Sequence, residues 1–234
     1  MKEQFSRTER ILGENSTEIL SHCHVAVFGI GGVGGHAVEA LARAGIGKID
    51  IIDSDTVSQS NINRQAVATH STVGRSKVEV MAEKIKDINP DCEVFCHQCF
   101  YLPETAENFN FSKYDYILDC VDTVKAKIDI ICRAKQQNIP VISAMGAGNK
   151  LDPTAFKVAD IYKTKVCPLA RIMRTNLKKC GIDALKVVYS EEIPVESHEK
   201  DNATKKSIPG SVPFVPPVVG LIMAGEVIKD ILKR

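Results

Sequence analysis

The chain has 234 residues, 44% of them hydrophobic, and balances 30 Lys and Arg against 29 Asp and Glu for a formal charge of +1. This is enough apolar content for one α/β domain with a sizeable core, and the near-neutral balance excludes nucleic-acid binding by a global field, so such a contact needs a local patch. Eight cysteines without disulfide-like spacing and no apolar leading segment predict a reducing, cytoplasmic setting.

In chain order, residues 1–21 predict short helices that brace a neighbour. Val25–Phe28 and Ile49–Ile52 are apolar runs of strand length, and Val33–Ala44 between them has helical periodicity. A helix over Ser76–Ile88, a strand at Val94–Cys96, a strand at Tyr116–Cys120, a helix over Thr123–Asn138 and a strand at Val141–Ala144 continue the pattern. This alternation predicts an α/β, Rossmann-like, mostly parallel sheet with helices on both faces. Ala155–Ala159 and Lys186–Tyr189 predict antiparallel strands added in the C-terminal part, on either side of a basic helix over Pro168–Cys180. Residues 191–211 are polar and poor in large apolar side chains, which predicts a mobile crossover loop. Val212–Ile228 is mostly apolar but holds Pro213, Pro216, Pro217 and Glu226. It predicts a buried loop and then a core helix over Val218–Leu232, not a membrane span. The whole reads as one domain, with a nucleotide-binding half over 1–150 and a substrate-side half over 151–234.

The most informative motif is Gly29-Ile-Gly31-Gly32-Val-Gly34, between the first strand and the first long helix. Its glycines allow a tight turn and let backbone N–H groups approach a phosphate at the helix N-terminus. The next strand ends in Asp53, where an acid can reach a ribose hydroxyl. Strand, turn, helix and acid together predict a bound nucleotide, either a redox dinucleotide or ATP. Downstream come Asn61, Arg64 and Lys77. Cations in addition to the phosphate turn suit a site that expels pyrophosphate, because they neutralise charge on the bridging oxygens; as isolated residues they also read as ordinary surface charges. Asp119 and Asp122 both lie at the end of the Tyr116–Cys120 strand, and alternation does not choose between them as a metal ligand.

Two cysteine features carry less. Cys96-His-Gln-Cys99 is a single pair with no second pair at zinc spacing, so it reads as structural thiols without structural zinc. Cys167 precedes Pro168 at a helix start, which suits either a reactive thiol or a small apolar filler. Lys163, Lys165, Arg171, Arg174, Lys178, Lys179 and Lys186 cluster in a stretch whose only acid is Asp183. They form either a phosphate-binding surface or a solvated helix face.

Gly29–Gly34, Asp53, Ser60-Asn-Ile-Asn-Arg-Gln65, Gly74-Arg-Ser-Lys77 and Asp119-Cys-Val-Asp122, in this order, resemble the ubiquitin-activating-enzyme-like adenylating enzymes. The resemblance implies ATP with Mg²⁺, attack of a carboxylate on the α-phosphate and an acyl-adenylate product. It implies that Gly29, Gly31, Gly32 and Gly34 cradle phosphates, that Asp53 holds the ribose, that Asn61, Arg64 and Lys77 act on the triphosphate, and that Asp122 serves Mg²⁺. Arg7 is similar to an arginine that the family donates across a homodimer interface.

Ala144-Met-Gly-Ala-Gly148, Asp152-Pro153, Lys163–Arg171 and Gly210-Ser211 resemble one branch of that family, the tRNA threonylcarbamoyladenosine dehydratases. The branch implies adenylation of the threonyl carboxylate beside the tRNA anticodon, then cyclisation with loss of water, on a surface that includes Lys163, Lys165, Arg171, Arg174, Lys178 and Lys179. The absence of a second zinc-type cysteine pair, and of a cysteine between 191 and 211, agrees with it. An acyl acceptor within the substrate removes the need for an enzyme thiol. The alternative is activation of the C-terminus of a small sulfur-carrier protein. The sequence leaves open whether a sulfur-carrier and desulfurase system or a monovalent cation takes part.

Overall fold

The computed structural model describes residues 3–196 and 209–233. Its strands are β1 (His24–Phe28), β2 (Lys48–Ile52), β3 (Glu93–His97), β4 (Tyr116–Asp119), β5 (Val141–Ala144), β6 (Phe156–Asp160) and β7 (Lys186–Ser190). Its helices are α1 (Ser6–Leu12), α2 (Ser16–Ser21), α3 (Gly34–Ala44), α4 (Lys77–Ile88), α5 (Val124–Gln136), α6 (Pro168–Lys179) and α7 (Pro216–Ile231). The strands form one sheet in the order β3-β2-β1-β4-β5-β7-β6. Phe28 sits beside Ile52 on one side and Asp119 on the other, so the carboxyl ends of β1, β2 and β4 lie level.

Successive strand residues face opposite sides of a sheet, and over the central strands β1, β2, β4, β5 and β7 both sides are covered. Val25 and Val27 pack into one apolar cluster with residues of α3, α4 and α7. Ala26 and Phe28 pack into the other, with α5, α6 and the aromatic rings of Tyr101, Phe109 and Phe111. That is why the central parallel strands read as largely apolar runs, while the exposed edge strand β3 does not.

Three expectations are refined. The reversed direction belongs to β6 alone, which runs antiparallel to β7, while β7 itself is parallel to β5. The last helix begins at Pro216, not Val218, because the first helical turn has no intrahelical use for the N–H that proline lacks. Helix α5 stops at Gln136, and Asn138 turns the chain at φ +58°. The loop expected over 191–211 lies, for residues 197–208, outside the described residues. No helix among the described residues is long and apolar enough to cross a membrane.

One strand residue breaks the apolar rule. Asp50, fully buried in β2, accepts hydrogen bonds from His24 Nε2 (2.6 Å), His97 Nε2 (2.8 Å), Tyr114 Oη (2.8 Å) and Lys113 Nζ (3.0 Å). Burial alone would raise its carboxyl, but these donors outweigh that and hold it far below the usual carboxylate range.

Candidate active site

The winding of the sheet reverses between β1 and β4, and the crevice outside the strand ends at such a point is where open α/β sheets bind ligands. A cleft of about 410 Å³ opens there. Gly29, Gly31, Gly32, Asp53, Asn61, Arg64, Lys77 and Asp122 all line it.

The glycine turn is built by contact. Gly29 has φ +89°, and a Cβ there would come within 2.8 Å of the Cys120 carbonyl oxygen. Gly34 does not line the cleft. It starts α3, and a Cβ on it would stand 1.8 Å from the Gly29 carbonyl oxygen, so its part is to let the helix begin against the turn.

Asp53 ties the turn to β2. Its Oδ2 accepts from Ile30 N–H at 2.7 Å and its Oδ1 from Asp55 N–H at 2.9 Å. A carboxylate oxygen has two lone pairs, so each can still accept from a ribose hydroxyl. Lys77, buried at the start of α4, donates to Asp55 Oδ2 at 2.7 Å and lies 3.7 Å from Asp53 Oδ1. A cation at a helix N-terminus opposes the helix dipole, so helix stability does not explain it. Arg64 Nη1 donates to the Ser60 carbonyl (3.1 Å) and to Asn63 Oδ1 (2.8 Å), and Arg64 has no carboxylate partner among the described residues. Asn61 uses Oδ1 to accept from Ser58 N–H at 3.1 Å.

The two candidate metal carboxylates separate clearly. Asp122 is exposed in the cleft, with the Thr123 hydroxyl 3.3 Å from its Oδ1. Asp119 is fully buried, bonded to Ser143 and 3.0 Å from Lys127 Nζ, and does not line the cleft. Arg7 is exposed on α1 and lines no wall of its own chain's cleft.

The rim is drawn together by Asn149, at φ +59°. Its carbonyl accepts from Val195 N–H (2.8 Å), its N–H donates to the Gly210 carbonyl (2.8 Å), and its Oδ1 accepts from Gly210 N–H (2.5 Å). Asn63 Nδ2 donates to the Ser211 carbonyl at 3.0 Å, and Gly148, Gly210 and Ser211 line the cleft.

The ThiF family profile matches residues 4–234. The chain belongs to the ThiF family. It is 46% identical over 244 aligned residues to the tRNA threonylcarbamoyladenosine dehydratase of Bacillus subtilis, spanning 100% of this chain and 96% of that one. It is also similar to crystal structures of the E. coli tRNA N6-threonylcarbamoyladenosine dehydratase in complex with AMP and in complex with ATP. Each has a TM-score of 0.89 at 34% identity, over 98% of this chain and 94% of the other.

In this ThiF-family chain the basic cluster divides. Lys163, Lys165, Arg171, Lys178 and Lys179 are exposed. Arg174 is half-buried and donates to the carbonyl and hydroxyl of Thr164, so it braces the turn that carries Lys163 and Lys165. Lys186 is held by Glu226 and Asp230 of α7. Cys167 is buried beneath Gly146 and does not line the cleft, in keeping with the filler reading. Burial pushes the Cys96 and Cys99 thiols up.

Sequence reasoning missed Asp55, Phe100 and Tyr101 as cleft residues. The two aromatics follow the carboxyl end of β3, which is itself a signal. Tyr101 is fixed by a 2.7 Å bond from its hydroxyl to Asp129. His36, whose Nε2 lies 3.1 Å from the Arg64 carbonyl, carried no signal in the sequence.

Proposed function

We propose that this chain is an ATP-dependent tRNA threonylcarbamoyladenosine dehydratase, which adenylates the threonyl carboxylate and closes it into a ring with net loss of water. The observation that carries the reading is Arg64, an arginine with no acidic partner among the described residues, sharing one cleft with a glycine turn, a buried lysine and an exposed carboxylate.

ATP lies in the cleft, with its phosphates at the Gly29–Gly34 turn and the N-terminus of α3. Asp53 accepts from the ribose hydroxyls, and Phe100 and Tyr101 offer aromatic surface to the base. Asp122 fits Mg²⁺: the ion is commonly held by one or two carboxylates together with substrate phosphates, and this carboxylate is available for that. Magnesium there supplies positive charge to the triphosphate. The substrate carboxylate oxygen bonds to the α-phosphorus as the bond to pyrophosphate breaks. Arg64 and Lys77 neutralise the charge that the leaving pyrophosphate gathers. A second atom of the same threonylcarbamoyl group then attacks the acyl carbon, AMP leaves and the ring closes. Because that step is intramolecular, proximity replaces an enzyme thiol.

The tRNA backbone meets Lys163, Lys165, Arg171, Lys178 and Lys179, which supply affinity without reading sequence. Arg7, exposed and absent from its own cleft, serves the partner's cleft in a homodimer. The test is mass spectrometry of nucleosides from tRNA incubated with enzyme and ATP. The threonylcarbamoyl nucleoside is expected to lose one water. Adenylation that requires a small carrier protein and ignores tRNA would overturn the reading.

A further inference from the structure

The turn that carries Asp122 rests on a buried cluster that the reaction above leaves unused. Lys127 and Asp119 are both fully buried, and Lys127 Nζ stands 3.0 Å from Asp119 Oδ2 and 3.1 Å from the Val121 carbonyl oxygen. Ser143 on β5 donates to the same Asp119 oxygen at 2.6 Å, while Asp119 Oδ1 has no hydrogen-bond partner among the described residues. Lys127 lies in the first turn of α5, where a cation opposes the helix dipole. An ion pair buried in this way is often no more stable than an apolar replacement. Stability therefore does not account for the cluster.

Its geometry does. The ammonium joins the last residue of β4 to the peptide immediately before Asp122. On the other side, Cys120 N–H donates to the Phe28 carbonyl at 2.8 Å, and the Cys120 carbonyl abuts Gly29 so closely that a Cβ there would clash. The short turn from Cys120 to Asp122 is clamped between the glycine turn and the buried lysine.

We propose that Lys127 is a positioning residue, holding the Val121 peptide against Asp119 so that the Asp122 carboxylate is fixed in the cleft for its divalent cation. The inference rests on Asp122 being the metal ligand. Lys127 itself does not line the cleft and touches no reacting atom.

The test measures binding of a non-hydrolysable ATP analogue by calorimetry, with and without Mg²⁺, alongside pyrophosphate release as a function of Mg²⁺. The double variant Asp119→Asn/Lys127→Met removes both charges and leaves neither buried alone. It is expected to need about tenfold more Mg²⁺, the usual cost of losing a group behind a metal ligand, with analogue affinity in the absence of Mg²⁺ unchanged. Lys127→Gln, which keeps an N–H donor group but loses the charge, is expected to move the same way and is the second variant should the first not fold. Lys127→Arg, whose fork can meet both acceptors, should restore the wild-type Mg²⁺ requirement. Asp122→Asn is the reference and should abolish the benefit of Mg²⁺. If it does so while the Lys127 variants keep the wild-type Mg²⁺ curve, Lys127 is merely structural and the inference falls. If Asp122→Asn leaves the curve unchanged, the metal assignment falls and takes the inference with it.

Discussion

Arg64 and Lys77 differ in what surrounds them, and their variants should differ accordingly. Among the described residues Arg64 has neutral partners, so Arg64→Ala removes a charge that is left for an anionic ligand. Lys77 is held by Asp53 and Asp55, so Lys77→Ala also leaves two carboxylates facing the nucleotide. Both are expected to lower the adenylation rate by about 10²–10³, the cost of losing a donor aimed at charge developing in the transition state. Nucleotide affinity should hardly change in Arg64→Ala and should fall further in Lys77→Ala. Single-turnover kinetics and equilibrium binding separate the two, and normal turnover in either variant would remove its assignment. At this scale the sequence was legible where a motif is local. Gly29 and Asp53 stand out by type and spacing, whereas Asn61, Arg64 and Lys77 are singled out only by the resemblance to the adenylating family, the two cations reading as surface charges when taken alone. The different surroundings of Asp119 and Asp122 are not legible there, because Asp119 is buried by Lys127 and Ser143, which meet it only after the sheet has formed.

Between elements, the Asp50 cluster is the most consequential polar contact. It joins β1 through His24, β2 through Asp50, β3 through His97 and the approach to β4 through Lys113 and Tyr114. Removing one partner of a buried ionic cluster costs about 3–5 kcal/mol, so Asp50→Asn should lower unfolding stability by about 3 kcal/mol in denaturant titrations. The pH dependence follows from the direction of the shift. The folded carboxyl lies far below its unfolded value, so its contribution is fully present above that unfolded value, about pH 4. It is withdrawn at about 1.4 kcal/mol per pH unit as pH falls further. The gap in stability between wild type and Asp50→Asn should therefore shrink as pH falls below about 4. A gap that does not narrow there would show that the charge is not what holds these strands. The strands themselves were readable from their apolar runs, but the direction of β7 was not. A strand's local pattern is the same whichever way it runs, and β7 takes its direction from β5. Nor did the pattern place the start of α7, because Pro216 and Pro217 read as a break where they serve as a first turn.

For the molecule as a whole, a charge of +1 leaves tRNA capture to a local surface. Replacing Arg171, Lys178 and Lys179 with Ala should flatten the logarithmic salt dependence of tRNA binding by about 0.7–0.9 for each phosphate no longer neutralised, with ATP affinity unchanged. Arg174→Ala should act differently, by loosening the turn at Thr164 that presents Lys163 and Lys165. An unchanged salt slope in the triple variant would assign this face to solvent and move the tRNA elsewhere. Asn149 also acts at the scale of the molecule. The backbone at Val195 and at Gly210 is pinned to this one residue, so the chain leaves the rim and returns to it at a single fixed point. One substitution, Asn149→Ala, therefore removes the side-chain acceptor of Gly210 N–H and should loosen the rim where Gly210 and Ser211 line the cleft.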